Sequence, residues 1–326
     1  MTKRIFLAIL ALAVAGCGGG SNPVTGGGSG GGNPTTLILP PGTTSPSPSS
    51  SVQRYEERDG TGNGYAQGIT YDSGSDTFTV DNLAFDGDNA YHRSAAIPSL
   101  GPFQVYENNS TFIDPVTGVS IPQDTYRAVR GASTSGNTSF AVVRTGSYVN
   151  YGFGGFIYQR NAGVNIPTSG QAHYAGAYAG LRDFNQIGGL QYVSGAMTMD
   201  IDFNDFNTGS GVSGSVTNRR VFDLNGNDIT AAVVAQINAE KGTSLGGLPV
   251  LNIAVGPGVI DGNGELTGNI NSFIPGSGGA LEAFETGKYY AVLTGDPANE
   301  VAGIIVVNAA DAIGTRETGG FILYRP

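Results

Sequence analysis

The sequence predicts an all-β protein: a small β domain, then an eight-stranded antiparallel barrel with one short helix inserted in it. Three observations carry this. Glycine supplies 53 of 326 residues without a Gly-X-Y period, which fits tight turns and excludes collagen. After residue 52 the chain breaks into short alternating apolar and polar runs, separated by Gly, Asn and Asp. Charged residues make up only 13%, so the chain lacks the Glu and Lys a helical bundle would use.

The amino terminus comes first. Lys3 and Arg4 form a charged n-region, and Ile5 to Val14 an apolar stretch too short to span a bilayer but suited to a secretory h-region. It ends in Val14-Ala15-Gly16-Cys17, which resembles a bacterial lipobox: a signal peptide over 1–16, then an acylated Cys17. Cys17 is the single cysteine. The alternative, an ordinary signal peptide, would leave it a free thiol in an oxidising compartment. Several acyl chains on one residue suffice to hold a protein on a lipid bilayer. Gly18 stands where an aspartate commonly retains such lipoproteins in the inner membrane, so the expected location is the outer membrane, at the cell surface.

Residues 17–52 read as that cysteine followed by a disordered Gly/Pro/Ser linker with a reach of roughly 30–35 Å. Leu37-Ile38-Leu39 is its apolar triplet, and Pro40-Pro41 ends it. Gly26 to Gly32 lacks a flanking strand, a following helix and a Lys, and is no phosphate loop.

Residues 53–162 read as a small, handle-like β domain. Phe78 and Val80 alternate with Thr77, Thr79 and Asp81, and Leu83-Ala84-Phe85 extends that run. Ser139 to Arg144 and Gly154 to Arg160 repeat the pattern around Tyr148, Tyr151, Phe153, Phe156 and Tyr158. Residues 163–326 read as the barrel, with strands over 171–181, 190–203, 210–223, 248–256, 264–274, 286–294, 301–309 and 317–325. In the second, Met197, Met199, Ile201 and Phe203 face one way and Thr198, Asp200 and Asp202 the other. Eight strands enclose an interior that side chains can fill or one small ligand can occupy. The inserted helix starts at an Asp228 N-cap, buries Ile229, Val233, Val234 and Ile237, stops at Gly242, and is expected to cover a barrel mouth or side.

The segment from Val164 to Gly180, with Pro167, Ser169-Gly170, Ala172, Tyr174, Gly176 and Gly180, resembles the start of the barrel in transferrin-binding-protein-like surface lipoproteins. Met199 to Asn204 followed by Val212-Ser213-Gly214-Ser215-Val216 is similar to that family's acidic-Phe-Asn and Gly-x-Val strand pair. Tyr289 to Gly303 resembles its late hairpin, although Val292-Leu293-Thr294 stands where an aromatic is usual. Tyr174 and Tyr178 share a strand face with Gly176 and Gly180, alternating large and tiny residues along a curved wall. Asp296-Pro297 reads as a turn, with Glu300 as its internal hydrogen-bond acceptor.

No catalytic constellation emerges. His92 and His173 are the only histidines and read as surface residues, and a zinc site would need more ligands. Gly211-Val212-Ser213-Gly214 lacks the spacing of a nucleophile elbow. Asp223 to Asp228 and Asp261 to Glu265 resemble fragments of calcium loops but fall short of an EF-hand, and Asx turns explain both. Asp200 and Asp202 are a carboxylate pair on an outward strand face, without the burial glycoside hydrolysis needs. Neither a catalytic residue, a metal nor a cofactor is expected, and an enzyme is the reading ranked last. Removing Lys3 and Arg4 leaves 14 basic against 26 acidic groups, a net charge of −12 that excludes a nucleic-acid footprint.

The resemblance implies a surface lipoprotein that captures an iron-carrying protein or haem and presents it to a TonB-dependent outer-membrane transporter. Residues 87–127, with Tyr91, Phe103, Tyr106, Phe112 and Tyr126, form an irregular stretch that offers either a binding surface or aromatics packed under loops. The alternative function is a structural or adhesive envelope lipoprotein without a nutrient ligand.

Overall fold

The computed structural model describes residues 37–326 apart from 82, 84, 85, 87–89, 148, 149, 205–210, 257, 258 and 277. The lipobox with Cys17, the Ala84-Phe85 extension and Tyr148 lie outside the described residues.

Eleven strands fall between Val52 and Arg160. They are β1 (Val52–Tyr55), β2 (Gly68–Asp72), β3 (Thr77–Asp81), β4 (Tyr91–Arg93), β5 (Ser99–Leu100), β6 (Phe103–Asn108), β7 (Thr111–Ile113), β8 (Ser120–Pro122), β9 (Tyr126–Ala132), β10 (Thr138–Arg144) and β11 (Gly154–Arg160). Nine form one curled sheet in the order β1-β11-β10-β9-β6-β4-β3-β2 with β5 beside β6, while β7 and β8 pair only with each other. The stretch 87–127, expected to be irregular, thus carries β4 to β8 and the start of β9. The alternation of β10 explains why this sheet has two cores. Phe140 and Val142 point to the barrel, whereas Ala141 and Val143 point to a second cluster with Phe78, Tyr91, Tyr106 and Tyr126.

The barrel comes next: β12 (Gln171–Phe184), β13 (Ile187–Asp202), β14 (Val212–Phe222), α1 (Thr230–Lys241), β15 (Leu251–Ile253), β16 (Glu265–Pro275), β17 (Leu281–Thr294), β18 (Glu300–Ala309) and β19 (Thr315–Tyr324). Its eight strands run antiparallel in sequence order, and β19 pairs back onto β12 from Ala175↔Tyr324 to Phe184↔Thr315. The expected strand at 248–256 shortens to three residues, because Pro249 cannot donate to a ladder.

Helix α1 joins β14 to β15 and covers one mouth. Val233 and Ile237 meet Leu248, Ile274, Phe284 and Ala309, and Glu240 accepts the Ala312 N–H at 3.1 Å. Its N-cap position is Ile229, not Asp228. Asp228 works one residue earlier, accepting the Thr230 N–H at 2.9 Å and the Thr230 hydroxyl at 2.6 Å. Gly242 ends the helix in the left-handed conformation, φ 66°.

Side chains fill the barrel interior. Tyr174 donates to the Ala298 carbonyl at 2.8 Å and Tyr178 to Glu317 at 2.8 Å. Gly319 leaves room for the Tyr178 ring, which would collide with a Cβ there. Toward the α1 mouth, Arg219 bridges Glu285 and Glu317, each at 2.6 Å, and Arg182 lies 3.5 Å from Glu317. Burial opposes ionisation of Glu285 most strongly, but the charge and hydrogen bonds of Arg219, with Ser272 and Arg182, together hold the carboxyl below its usual range. The cavity between Arg182, Gln191, Gln236 and Thr315 measures about 20 Å³, room for about one water.

The wall of β12 and β17–β19 is apolar on both faces. Leu181, Val292, Ala302, Ile304 and Ile322 point outward and are buried under Phe140, Phe156 and Tyr158 of the handle sheet. Phe140 presses on Gly320, where any Cβ would occupy the space of its ring. Charges stitch the margins of this seam. Arg54 holds Glu265 through two hydrogen bonds of 2.7 Å, and Asp183 takes Arg316 at 2.6 Å and Arg144 at 3.6 Å. Glu300, expected to serve its own turn, instead accepts from Thr138 and, at 2.8 Å, from Ser135 of the handle. The correction has a simple cause: its oxygens face the neighbouring sheet, not the Asp296-Pro297 turn.

Phe140→Ala empties the centre of the seam and is expected to lower stability by about 3–5 kcal/mol in denaturant titration. A second expected outcome concerns pH. At the β2–β3 turn, Asp76 accepts from Arg93 at 2.7 Å, Tyr106 at 2.6 Å and Tyr71 at 2.9 Å. Those bonds, Arg93 foremost, hold its carboxyl at about 2 against an ordinary 3.8. With the folded value depressed, its contribution is complete above about pH 4 and is lost as pH falls toward 2. Asp76→Asn therefore flattens that part of the stability profile, measured by thermal melts from pH 5 to 2.

Candidate functional site

The residues the sequence singles out are mostly structural. Tyr91 stacks on Phe78 at 4.9 Å and Tyr106 meets Phe78 edge-on at 4.9 Å, while Phe103 meets Phe140 edge-on at 4.8 Å. Tyr126 is buried with them. Four of the five aromatics thus pack inward, and Phe112 alone is exposed.

Among the described residues, the carboxylates and histidines do not gather into one cluster. His173 and Asp200 face solvent on the outer barrel wall, Nδ1 to Oδ1 at 2.7 Å, and Asp202 accepts from Gln171 at 2.7 Å. Asp223 accepts the Asn225 and Asn227 N–H groups at 2.9 and 2.8 Å, and Asp261 those of Asn263 and Glu265 at 2.8 and 2.9 Å. These are Asx turns. Among the described residues, no group of three or more His, Cys, Asp or Glu is placed to hold a metal ion.

Phe112 belongs to a different kind of surface. It lies on β7, opposite Ile121 of β8, and the two strands stand clear of every core. The turn between them is set locally. Asp114 Oδ1 accepts the Val116 N–H at 2.8 Å and the Thr117 N–H at 2.7 Å, and Gly118 takes φ 70°. The Gln123 N–H to Ser110 carbonyl bond, 2.9 Å, closes its base. Exposed on this hairpin are Phe112 (47%), Ile113 (64%), Val116 (91%), Val119 (61%) and Ile121 (43%). Asp114 is the only charged residue from Ser110 to Gln123. Register puts Phe112, Val119 and Ile121 on one face and Ile113 on the other. A two-stranded hairpin is marginal by itself, so such an apolar tip is costly unless something covers it.

A polar recess of about 380 Å³ lies at the hairpin base, lined by His92, Glu107, Asn108 and Asn109. Glu107 pairs with Arg127 at 3.3 Å. His92, read from sequence as an incidental surface residue, lines this recess. Sequence reasoning missed Ile113, Val116, Val119 and Ile121. Their signal was a short apolar run with turn residues inside it and no length for a paired strand.

Hairpin and helix share one pole. The β6–β9 ladder ends at Asn108↔Tyr126 beside the hairpin, and Arg127 is opposite Arg144, which reaches Asp183 at the end of β12. Gln186 and Gly189 of the β12–β13 turn donate to Asn150 and Gly146 of the handle at 2.6 and 2.8 Å.

Comparison with known proteins gives likeness at the level of solved structures. No family model matches the chain, and no curated protein matches it. A transferrin binding protein B variant from Haemophilus parasuis Hp5 is similar over 84% of this chain and 45% of its own, at 12% identity and TM-score 0.37. Transferrin binding protein B from serogroup B Neisseria meningitidis is similar over 80% of this chain and 52% of its own, at 14% identity and TM-score 0.32. A protein described as a surface lipoprotein matches over 60% of this chain and 80% of its own, at 13% identity and TM-score 0.32. The chain thus spans about half the length of the first two.

The hairpin makes a clean prediction about stability. Phe112→Ser and Ile121→Ser leave the unfolding free energy within about 0.5 kcal/mol of the parent in urea titration, because neither side chain supports a core.

Proposed function

We propose that this protein is a lipid-anchored surface protein of the outer membrane that binds an iron-carrying protein through the β7–β8 pole and presents it to a transporter. The observation that carries this reading is the apolar hairpin face of Phe112, Val119 and Ile121 beside a polar recess. That combination of an apolar centre and a polar margin is how protein-binding surfaces are built. The barrel interior supports a protein over haem as the ligand. Its tyrosines and its Arg219–Glu285–Glu317 cluster occupy the space, and the cavity under α1 is far below the ~300 Å³ of an ordinary ligand pocket. The lipobox ending in Cys17 supports the anchor, and the sequence resemblance supports iron capture and a TonB-dependent transporter as partner.

The test is direct. Immobilised protein is titrated with iron-loaded transferrin by surface plasmon resonance, alongside Phe112→Ser and Ile121→Ser. Saturable binding that weakens at least about tenfold in both variants is expected for a hot spot of this kind. No saturable binding by the parent, or binding indifferent to both substitutions, rejects this ligand or this surface respectively.

A further inference from the structure

The expected linker does not run to residue 52. From Pro40 onward it is fastened to the fold. The Thr43 N–H donates to the Gln53 carbonyl at 3.0 Å and the Tyr55 N–H to the Pro41 carbonyl at 3.1 Å, adding a short antiparallel rung to the free edge of β1. Gly42 sits in this rung at φ 145°, and a Cβ there would collide with the Gln53 carbonyl.

Two arginines clasp the segment from Pro40 to Ser50. Arg54, already bound to Glu265, donates through Nη1 to the Pro40 and Thr43 carbonyls at 3.3 and 3.0 Å. Among the described residues Arg160 makes no hydrogen bond to a carboxylate, and backbone carbonyls satisfy it. Nη2 donates to Ser47 and Ser50 at 2.9 and 3.1 Å and Nε to Ser50 at 3.3 Å. Nη1 donates to Asn263 and Leu293 of the barrel at 2.8 and 2.9 Å. One guanidinium thus joins three segments: residues 47–50, the β15–β16 connection and β17. The Val164 N–H adds a bond to the Pro48 carbonyl at 2.7 Å. A fixed guanidinium fork suits this task, because each N–H has a set direction. The segment from 17 to 53 carries no charged residue, so residues 40–50 are held by backbone and guanidinium hydrogen bonds and not by ion pairs.

We propose that residues 40–51 are a strap that fixes the point at which the tether leaves the folded body, at the pole opposite the β7–β8 hairpin. Register locates both poles. Arg160 pairs with Val52 and Thr138, and Thr138 reaches Glu300 at the start of β18. Asn263 and Leu293 lie at that same barrel end, whereas Arg144, Asp183 and the hairpin base lie at the other. The consequence for presentation rests on the acylated-tether reading. On that reading, a flexible tether of the length of 17–39 reaches about 25–30 Å. The 14 residues of β17 alone extend over roughly 45 Å. A strap at one pole therefore turns the hairpin pole away from the membrane.

Two measurements test this. Hydrogen exchange of the full-length protein reads the strap itself. The Tyr55 and Val164 amides are expected to be protected in the parent and to exchange at least about tenfold faster in Gly42→Ala or Arg160→Lys. Exchange at unprotected rates in the parent overturns the strap. Orientation is read with full-length acylated protein on phosphatidylcholine vesicles carrying a quencher lipid. One fluorophore is placed at Gly262→Cys on the strap pole, another at Thr117→Cys on the hairpin tip. Strong quenching at 262 and weak quenching at 117 is expected; equal quenching, or the reverse, overturns the orientation. Failure to bind vesicles rejects the acylated tether instead, and leaves the strap to be judged by exchange.

Discussion

One constraint organises this protein: the barrel wall formed by β12 and β17–β19 is apolar on both sides. Inward, Tyr178, Tyr289, Ile305 and Phe321 fill the interior; outward, Leu181, Val292, Ile304 and Ile322 need a cover. The handle sheet supplies it, with Phe140, Phe156 and Tyr158. Burial of such side chains is worth about 1.5–3 kcal/mol each, so the two lobes are held as one hydrophobic unit. The ion pairs at the margins have a different role. Arg54–Glu265 and Arg144–Asp183 lose hydration on burial, and their geometry fixes the register of one lobe on the other more than it adds stability.

Residues 40–51 are pinned at one end of the barrel, and the β7–β8 hairpin stands at the other with its apolar side chains exposed. Interactions inside the barrel serve architecture. The Arg219 cluster and the tyrosines form a packed, hydrogen-bonded interior. Among the described residues the histidines and outward carboxylates form no larger cluster: His173 meets Asp200 on the outer barrel wall, and Asp223 and Asp261 each serve their own turn.

Much of the fold is legible in the sequence because strands announce themselves by period two. Met197, Met199 and Ile201 against Thr198, Asp200 and Asp202 give both the strand and its inner face. Gly242 gives the helix end, because a left-handed residue there favours glycine. Asp228 misleads by one residue, since an Asx bond to Thr230 and a true N-cap have the same local sequence. Residues 40–51 read as linker because they hold almost nothing apolar. Their order comes from Arg54 and Arg160, whose carbonyl partners carry no side-chain signal.

By itself, the sequence determined the all-β class, the eight barrel strands and the position of the helix. Those are local properties, written in periodicity and turn residues. Only the tertiary structure decided that four of five handle aromatics are core, that Glu300 serves the neighbouring lobe and that Phe112 shares an exposed face with Val119 and Ile121. The reason is physical: exposure and partnership depend on what covers a side chain, and here the partners come from residues up to 253 positions away.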